Sequence, residues 1–151
     1  MNMLAAIRPD SWNLPLLLHV GGAMILVGGM LTGASALAFA RGATGMLRLG
    51  YYSLLAVALP GYVLMFVGGE WIYSKEGLAD APISTAWATI GWVVAEAGGL
   101  LFLISLIVGG IGVRRLGSGR GAGLLKVTMG ISLVLLAAYV VAIWAMSAKP
   151  G

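Results

Sequence analysis

The sequence has no cysteine, a single histidine and only five acidic residues among 151 positions. The lack of cysteine excludes disulfides, thiolate metal sites and thiol catalysis. Charged residues make up 9% of the chain, whereas soluble domains carry about a quarter. We find neither a nucleophile–base pair nor a phosphate-binding loop, so we do not expect an ordinary hydrolase or transferase.

Apolar residues dominate instead: the chain is 60% hydrophobic, with a mean hydropathy of +1.01. A soluble fold of this size leaves roughly a third of its unfolded surface exposed and could not hide so much apolar area. Four apolar stretches exceed the roughly 20 helical residues that cross a bilayer. They are predicted at 14–40, 49–69, 86–113 and 124–146. The sequence therefore predicts one all-α domain, an integral membrane four-helix bundle.

The charges predict how the spans are oriented. Six of the nine basic residues lie in the loops after the first and third spans, namely Arg41, Arg48, Arg114, Arg115, Arg120 and Lys126. The middle loop is acidic, and all five tryptophans fall towards its side of the spans. The positive-inside rule places the basic loops in the cytoplasm. Both termini are then predicted to lie outside.

The first and third spans share a short pattern. His19-Val-Gly-Gly is matched 77 positions later by Glu96-Ala-Gly-Gly. The match suggests two parallel helical-hairpin repeats related by an axis along the membrane normal. Because the chain contains 24 glycines, a chance match is the alternative. At about 100° per residue, small residues share a face with each polar residue, which predicts that both point into the bundle.

Ionisable residues within spans are rare and mark candidate functional sites. Counted at about 1.5 Å per residue from the inner basic anchors, His19, Glu70 and Glu96 all fall in the outer half of the membrane. We interpret His19 and Glu96 as candidate cofactor-binding residues. Together with Glu70 they offer one imidazole and two carboxylates to a metal ion. The alternative is that His19 and Glu96 only make structural contacts and that Glu70 is a solvated acid at the membrane interface.

The candidate cofactors are haem b, a divalent cation or copper. A haem would need a second ligand from a methionine, a carboxylate or another protomer, because the chain has only one histidine. Thioethers bind Cu(I), and the spans contain a series of methionines, although packing is the alternative role: Met24, Met30, Met65, Met129 and Met146. Pro60, within the second span, predicts a helix kink.

The segment Leu16–Gly29 resembles the first helix of the bacterial copper-resistance D-type domain and of related uncharacterised four-helix membrane proteins. A Leu-His-Val element and a following Gly-Gly pair carry the resemblance, at His19, Gly28 and Gly29. The resemblance implies a four-helix bundle in a bacterial cytoplasmic membrane, with copper or haem handling.

Three functions are open from the sequence. The leading one is an accessory or cofactor-bearing subunit of a membrane assembly, with an internal site around His19 and Glu96. The second is a proton- or cation-coupled transporter that uses Glu96, and the third is a structural membrane protein without a ligand. Expected partners are the lipid bilayer, further copies of the chain or other membrane subunits, but not nucleic acid.

Overall fold

The fold is all-helical throughout the residues that the computed structural model describes, which are 10–75 and 86–148. A 3-10 turn at Asp10–Trp12 leads into α1. The α-helices are α1 (Asn13–Phe39), α2 (Thr44–Ser53), α3 (Leu59–Lys75), α4 (Ala86–Arg115) and α5 (Ala122–Ala148). The termini and most of the loop between the second and third spans, which the sequence assigns to the outside, lie beyond the described residues.

Four helices are long and apolar enough to cross a membrane, as the sequence predicts. The second of them, Thr44–Lys75, is a continuous helix made of α2, the turn Leu54–Ala58 and α3. It extends past the predicted 49–69 at both ends. Hydropathy excluded the flanking residues because they are more polar, but polar residues such as Arg48 and Glu70 are compatible with a helix.

The chain accommodates Pro60 through a wide helical turn rather than a break. Leu54–Ala58 is π-helical, and the Leu59 N–H donates to the Leu54 carbonyl five residues earlier. Proline has no N–H to donate, so the regular hydrogen-bond ladder is interrupted at this point. A single π-helical turn is a common way to absorb such an interruption. The predicted distortion thus takes the form of a π turn.

Glycines bring α1 and the second spanning helix into backbone contact. Gly22, Gly29 and Gly33 are buried on one face of α1, as predicted. A Cβ atom added at Gly29 would lie 2.6 Å from the Ala58 backbone nitrogen. Small residues permit this close approach, which favours association of apolar helices by van der Waals contact.

The remaining helices complete a ring in which α1 also packs against α5, and α5 packs against α4. Between α4 and α5, the Thr128 hydroxyl donates to the Ser105 carbonyl at 3.3 Å, and within α5 it also donates to the Leu124 carbonyl at 3.1 Å. By contrast, α3 and α4 make few contacts with each other. The ring is therefore loosest between these two helices.

Candidate functional site

The larger of two neighbouring cavities lies on this loose side, near the start of α4, and is lined mainly by α1, α3 and α4 with Met146 of α5. Its volume is about 240 Å³. One imidazole, His19, and one carboxylate, Glu70, line it. The rest of its wall is mostly apolar and aromatic, including Met65, Phe66, Tyr73, Trp87, Trp92 and Met146. We call this the outer cavity, after its position in the predicted topology.

Aromatic side chains join α3 and α4 at both ends of the outer cavity. Deeper in the bundle, the Tyr62 hydroxyl donates to the Ala95 carbonyl at 3.0 Å. Nearer the helix ends, Tyr73 and Trp92 pack edge to face with ring centroids 5.4 Å apart. Tyr62 and Tyr73 are separated by about 16 Å along α3. The space between these two contacts forms the cavity.

His19 is half-buried and its imidazole has a fixed orientation. Its Nδ1 lies 2.8 Å from the Met65 carbonyl oxygen. A carbonyl can only accept, so Nδ1 carries the hydrogen, and Nε2 of the neutral ring is then an acceptor. A Cβ atom at Gly69 would lie 3.0 Å from Nδ1, so glycine at this position leaves room for the ring.

This arrangement is typical of histidines that bind a ligand. Histidines that bind metals usually donate their other ring N–H to a carbonyl or carboxylate, which fixes the tautomer and the ring orientation. Here the backbone of α3 provides that acceptor, while Nε2 has no hydrogen-bond partner among the described residues. Nε2 is therefore the ring nitrogen of His19 that is left without a partner in the described structure.

Glu70 and Glu96 occupy different positions. Glu70 is exposed but borders the outer cavity together with His19. Glu96 is exposed on the outside of α4 and lines neither cavity described here. The expectation that Glu96 points into the bundle is therefore wrong for the single chain.

The packing of α4 explains this difference. The helix packs through a face that includes Gly91, Gly98 and Phe102. At about 100° per residue, Glu96 is about 140° from Gly91 and about 120° from Phe102 around the helix. His19 lines the outer cavity, whereas Glu96 is exposed. This difference weakens the repeat hypothesis, because the hypothesis was based on these two positions.

Metal binding itself stays a prediction, although residues 10–75 and 86–148 contain no group of three or more His, Cys, Asp or Glu side chains suited to it.

A second, inner cavity of about 70 Å³ continues from the first towards the centre of the bundle. His19, Met65 and Met146 line both cavities. The inner cavity also contacts Tyr139, which is only 3% exposed. The Tyr139 hydroxyl is buried and has no hydrogen-bond partner in the described structure.

Sequence reasoning missed Tyr139, which was only one of several tyrosines in the spans. A signal was nevertheless present. Tyr139 follows Ser132 and Leu135 at spacings of seven and four, and all three are buried on one face of α5. Such spacing places residues on a common helix face, so the side chain could have been assigned to the interior.

The methionines do not form the predicted series. Met65 and Met146 reach the two cavities. Met30 is buried in the hydrophobic core but lines neither cavity, and Met129 packs against the edge of that core. Met24 is 72% exposed. Among the described methionines, two therefore line the cavities together with His19.

Comparisons with known proteins yield no family model, curated protein or solved structure that matches this chain. The resemblance to the copper-resistance D-type domain accordingly stays an expectation from the sequence.

Proposed function

We propose that this chain is an accessory subunit of a membrane assembly that holds a ligand or cofactor in the outer cavity, bound through His19. The proposal includes insertion in a bacterial cytoplasmic membrane with both termini outside, which places the cavity in the outer leaflet. One observation carries the binding role. The His19 imidazole is fixed by the Met65 carbonyl, and its remaining nitrogen is free to accept a hydrogen bond or a metal ion.

The cavity size discriminates between the candidate cofactors. Pockets for drug-sized ligands measure about 300–1,000 Å³, and an engineered apolar cavity of about 150 Å³ binds benzene. A cavity of about 240 Å³ thus suits a metal ion or a molecule with one ring better than an enclosed haem. A haem bound by His19 would have to extend beyond this chain.

A metal ion would find an imidazole at His19, a carboxylate at Glu70 and thioethers at Met65 and Met146. Imidazole and thioether ligands favour copper over hard cations such as Mg²⁺ or Ca²⁺. Among the metals considered, copper is therefore the one that these donors fit best. The transporter alternative loses support, because Glu96 does not line the cavities of the single chain.

The test is to identify what copurifies with the protein. Protein in mild detergent is examined by absorption spectroscopy, elemental analysis and mass spectrometry of an organic extract. We expect a bound component in the wild type and in Glu96→Gln, but not in His19→Ala. Glu96 serves as the control because it is ionisable, is predicted to lie in the outer half of the membrane as His19 is, and lines neither cavity. A folded wild-type protein that binds no component would favour the structural alternative and contradict the proposal.

A further inference from the structure

The Tyr139 hydroxyl is the most unusual polar group in the described structure. It is buried in the bundle and has no hydrogen-bond partner among the described residues. A buried hydroxyl without a partner is destabilising compared with phenylalanine, so native proteins nearly always satisfy such groups. Tyr139 lines the inner cavity, and His19 is the one other polar side chain among the described residues of its wall. A ligand that contacts both groups would satisfy them together.

The inner and outer cavities are neighbouring parts of one space. They share the walls formed by His19, Met65, Gly91, Ala95 and Met146. The terminal methyl of Met146 lies where a Cβ atom of Gly91 would be. Methionine has a flexible, unbranched side chain that adapts to its surroundings. A shift of Met146 alone would widen the connection, so a ligand in the outer cavity can extend to Tyr139.

We propose that the two cavities together bind a lipid-soluble, single-ring phenol, an inference that rests on the proposed function. The ring lies in the outer cavity beside Phe66 and Trp92, where aromatic packing is favourable. The phenolic hydroxyl points into the inner cavity. It donates its hydrogen to Nε2 of His19 and accepts a hydrogen bond from Tyr139.

The donor and acceptor pattern selects this ligand class. His19 accepts through Nε2 because its Nδ1 donates to the Met65 carbonyl. Tyr139 can donate, so the bound oxygen must carry a hydrogen and also accept one, as a hydroxyl does. Among the described residues that line the two cavities, Glu70 is the one carboxylate, and none is a lysine or an arginine. An uncharged ligand therefore fits better than an anion.

Alternative occupants satisfy fewer of these groups. A metal ion bound to His19 would not itself accept a hydrogen bond from the Tyr139 hydroxyl. Water molecules could occupy the inner cavity, since one water needs only about 10–15 Å³ of such volume. Water leaves unexplained the larger apolar outer cavity, which exceeds the roughly 150 Å³ that holds a benzene ring.

The probes for the test are 4-ethylphenol and ethylbenzene, which differ only in the hydroxyl. Binding to the full-length protein in lipid nanodiscs is measured by titration calorimetry and by the fluorescence of the cavity tryptophans. Three proteins are compared: wild type, Tyr139→Phe and Tyr52→Phe. Tyr52 is a matched control because it is 51% exposed and lines neither cavity.

We expect the wild type and Tyr52→Phe to prefer 4-ethylphenol over ethylbenzene. Tyr139→Phe should bind 4-ethylphenol about threefold to tenfold more weakly, the effect of one hydrogen bond, with ethylbenzene affinity unchanged. Its thermal stability without ligand should be no lower than that of wild type, because phenylalanine removes an unsatisfied hydroxyl. Equal binding of both probes by wild type would overturn the inference, even if the Tyr139 variant failed to fold.

Failure of this inference is distinguishable from failure of the proposed function. Stoichiometric copper that disappears in His19→Ala, without any preference for 4-ethylphenol, would leave the proposed function intact and remove the phenol. Equal 4-ethylphenol affinity in wild type and Tyr139→Phe would overturn the role of Tyr139. A protein that binds neither copper, nor an extracted component, nor the probe would contradict both proposals.

Discussion

Two adjacent glycines of α1 give a direct test of how the helices pack. A Cβ atom added at Gly28 would meet nothing within 4 Å, whereas one added at Gly29 would lie 2.6 Å from the Ala58 backbone nitrogen and 2.9 Å from its Cα. Gly28→Ala and Gly29→Ala make the same chemical change in the same helix. They differ only in whether the new methyl group faces the seam between α1 and the second spanning helix.

The magnitudes follow from two opposing effects. Alanine is about 1 kcal/mol more favourable than glycine inside a helix, which applies equally to both variants. Overpacking a close contact costs about 1–3 kcal/mol, and only Gly29→Ala has this cost. We therefore expect Gly28→Ala to be neutral or stabilising. Gly29→Ala should be less stable than Gly28→Ala by about 1–3 kcal/mol.

The assay is thermal unfolding of the detergent-solubilised variants, followed by tryptophan fluorescence or by loss of the monodisperse peak in size-exclusion chromatography. For a chain of this size, 1 kcal/mol corresponds to a shift in Tm of roughly 2–4 °C. Gly29→Ala should thus unfold at least a few degrees below Gly28→Ala. Equal Tm values for the two variants would refute the close backbone contact at Ala58.

Three further predictions concern the site and the topology. Gly69→Ala should lower the affinity of the His19 site, because the new Cβ would lie 3.0 Å from Nδ1 and 3.2 Å from Cε1 of the imidazole; the measurement is the amount of component that copurifies, with Gly28→Ala as the control. Tyr62→Phe should destabilise the protein by about 0.5–1.5 kcal/mol through loss of the hydrogen bond to the Ala95 carbonyl, and an unchanged Tm would contradict a role for this contact between α3 and α4. Because the chain has no cysteine, single cysteines can report the topology: Ser11→Cys should react with an impermeant maleimide in intact cells, and Ser118→Cys only after permeabilisation. The reverse labelling pattern would contradict the positions assigned to the termini.

The sequence was sufficient to predict four apolar helices and the face of α1 that packs inside the bundle. Runs of more than 20 apolar residues leave few alternatives to helices that can cross a membrane. In α1, the glycines at 22, 29 and 33 recur at spacings of seven and four, which places them on one face. That face packs against the second spanning helix, and His19 lies at its end. Here the small residues and the contact surface coincide.

The same reasoning failed for α4 because its contact surface is not marked by polarity. Lipid tails are as apolar as leucine, so no hydrophobic contrast distinguishes the packed from the exposed face of a spanning helix. Glycines at 91, 98, 99, 109 and 110 are spread over a wide arc of α4. Gly91, Gly98 and Gly99 are all buried, and Gly99, at about 60° from Glu96, lies at the edge of the packed face. Contacts with α2, α3 and α5 together determine which glycines are buried: a Cβ atom at Gly99 would meet Tyr62, and one at Gly98 would meet Tyr139.

The contrast between the two sides of α3 connects the fold with the proposed site. On the side facing α1, glycines permit backbone contact, and a Cβ atom at Gly68 would lie 2.8 Å from the Pro15 carbonyl oxygen. This contact brings the Met65 carbonyl within 2.8 Å of His19 and fixes the imidazole. On the side facing α4, large aromatic residues hold the helices apart and leave the outer cavity between them. A fixed imidazole beside a cavity therefore follows from the distribution of small and large residues around one helix, and this is the arrangement on which the proposed site depends.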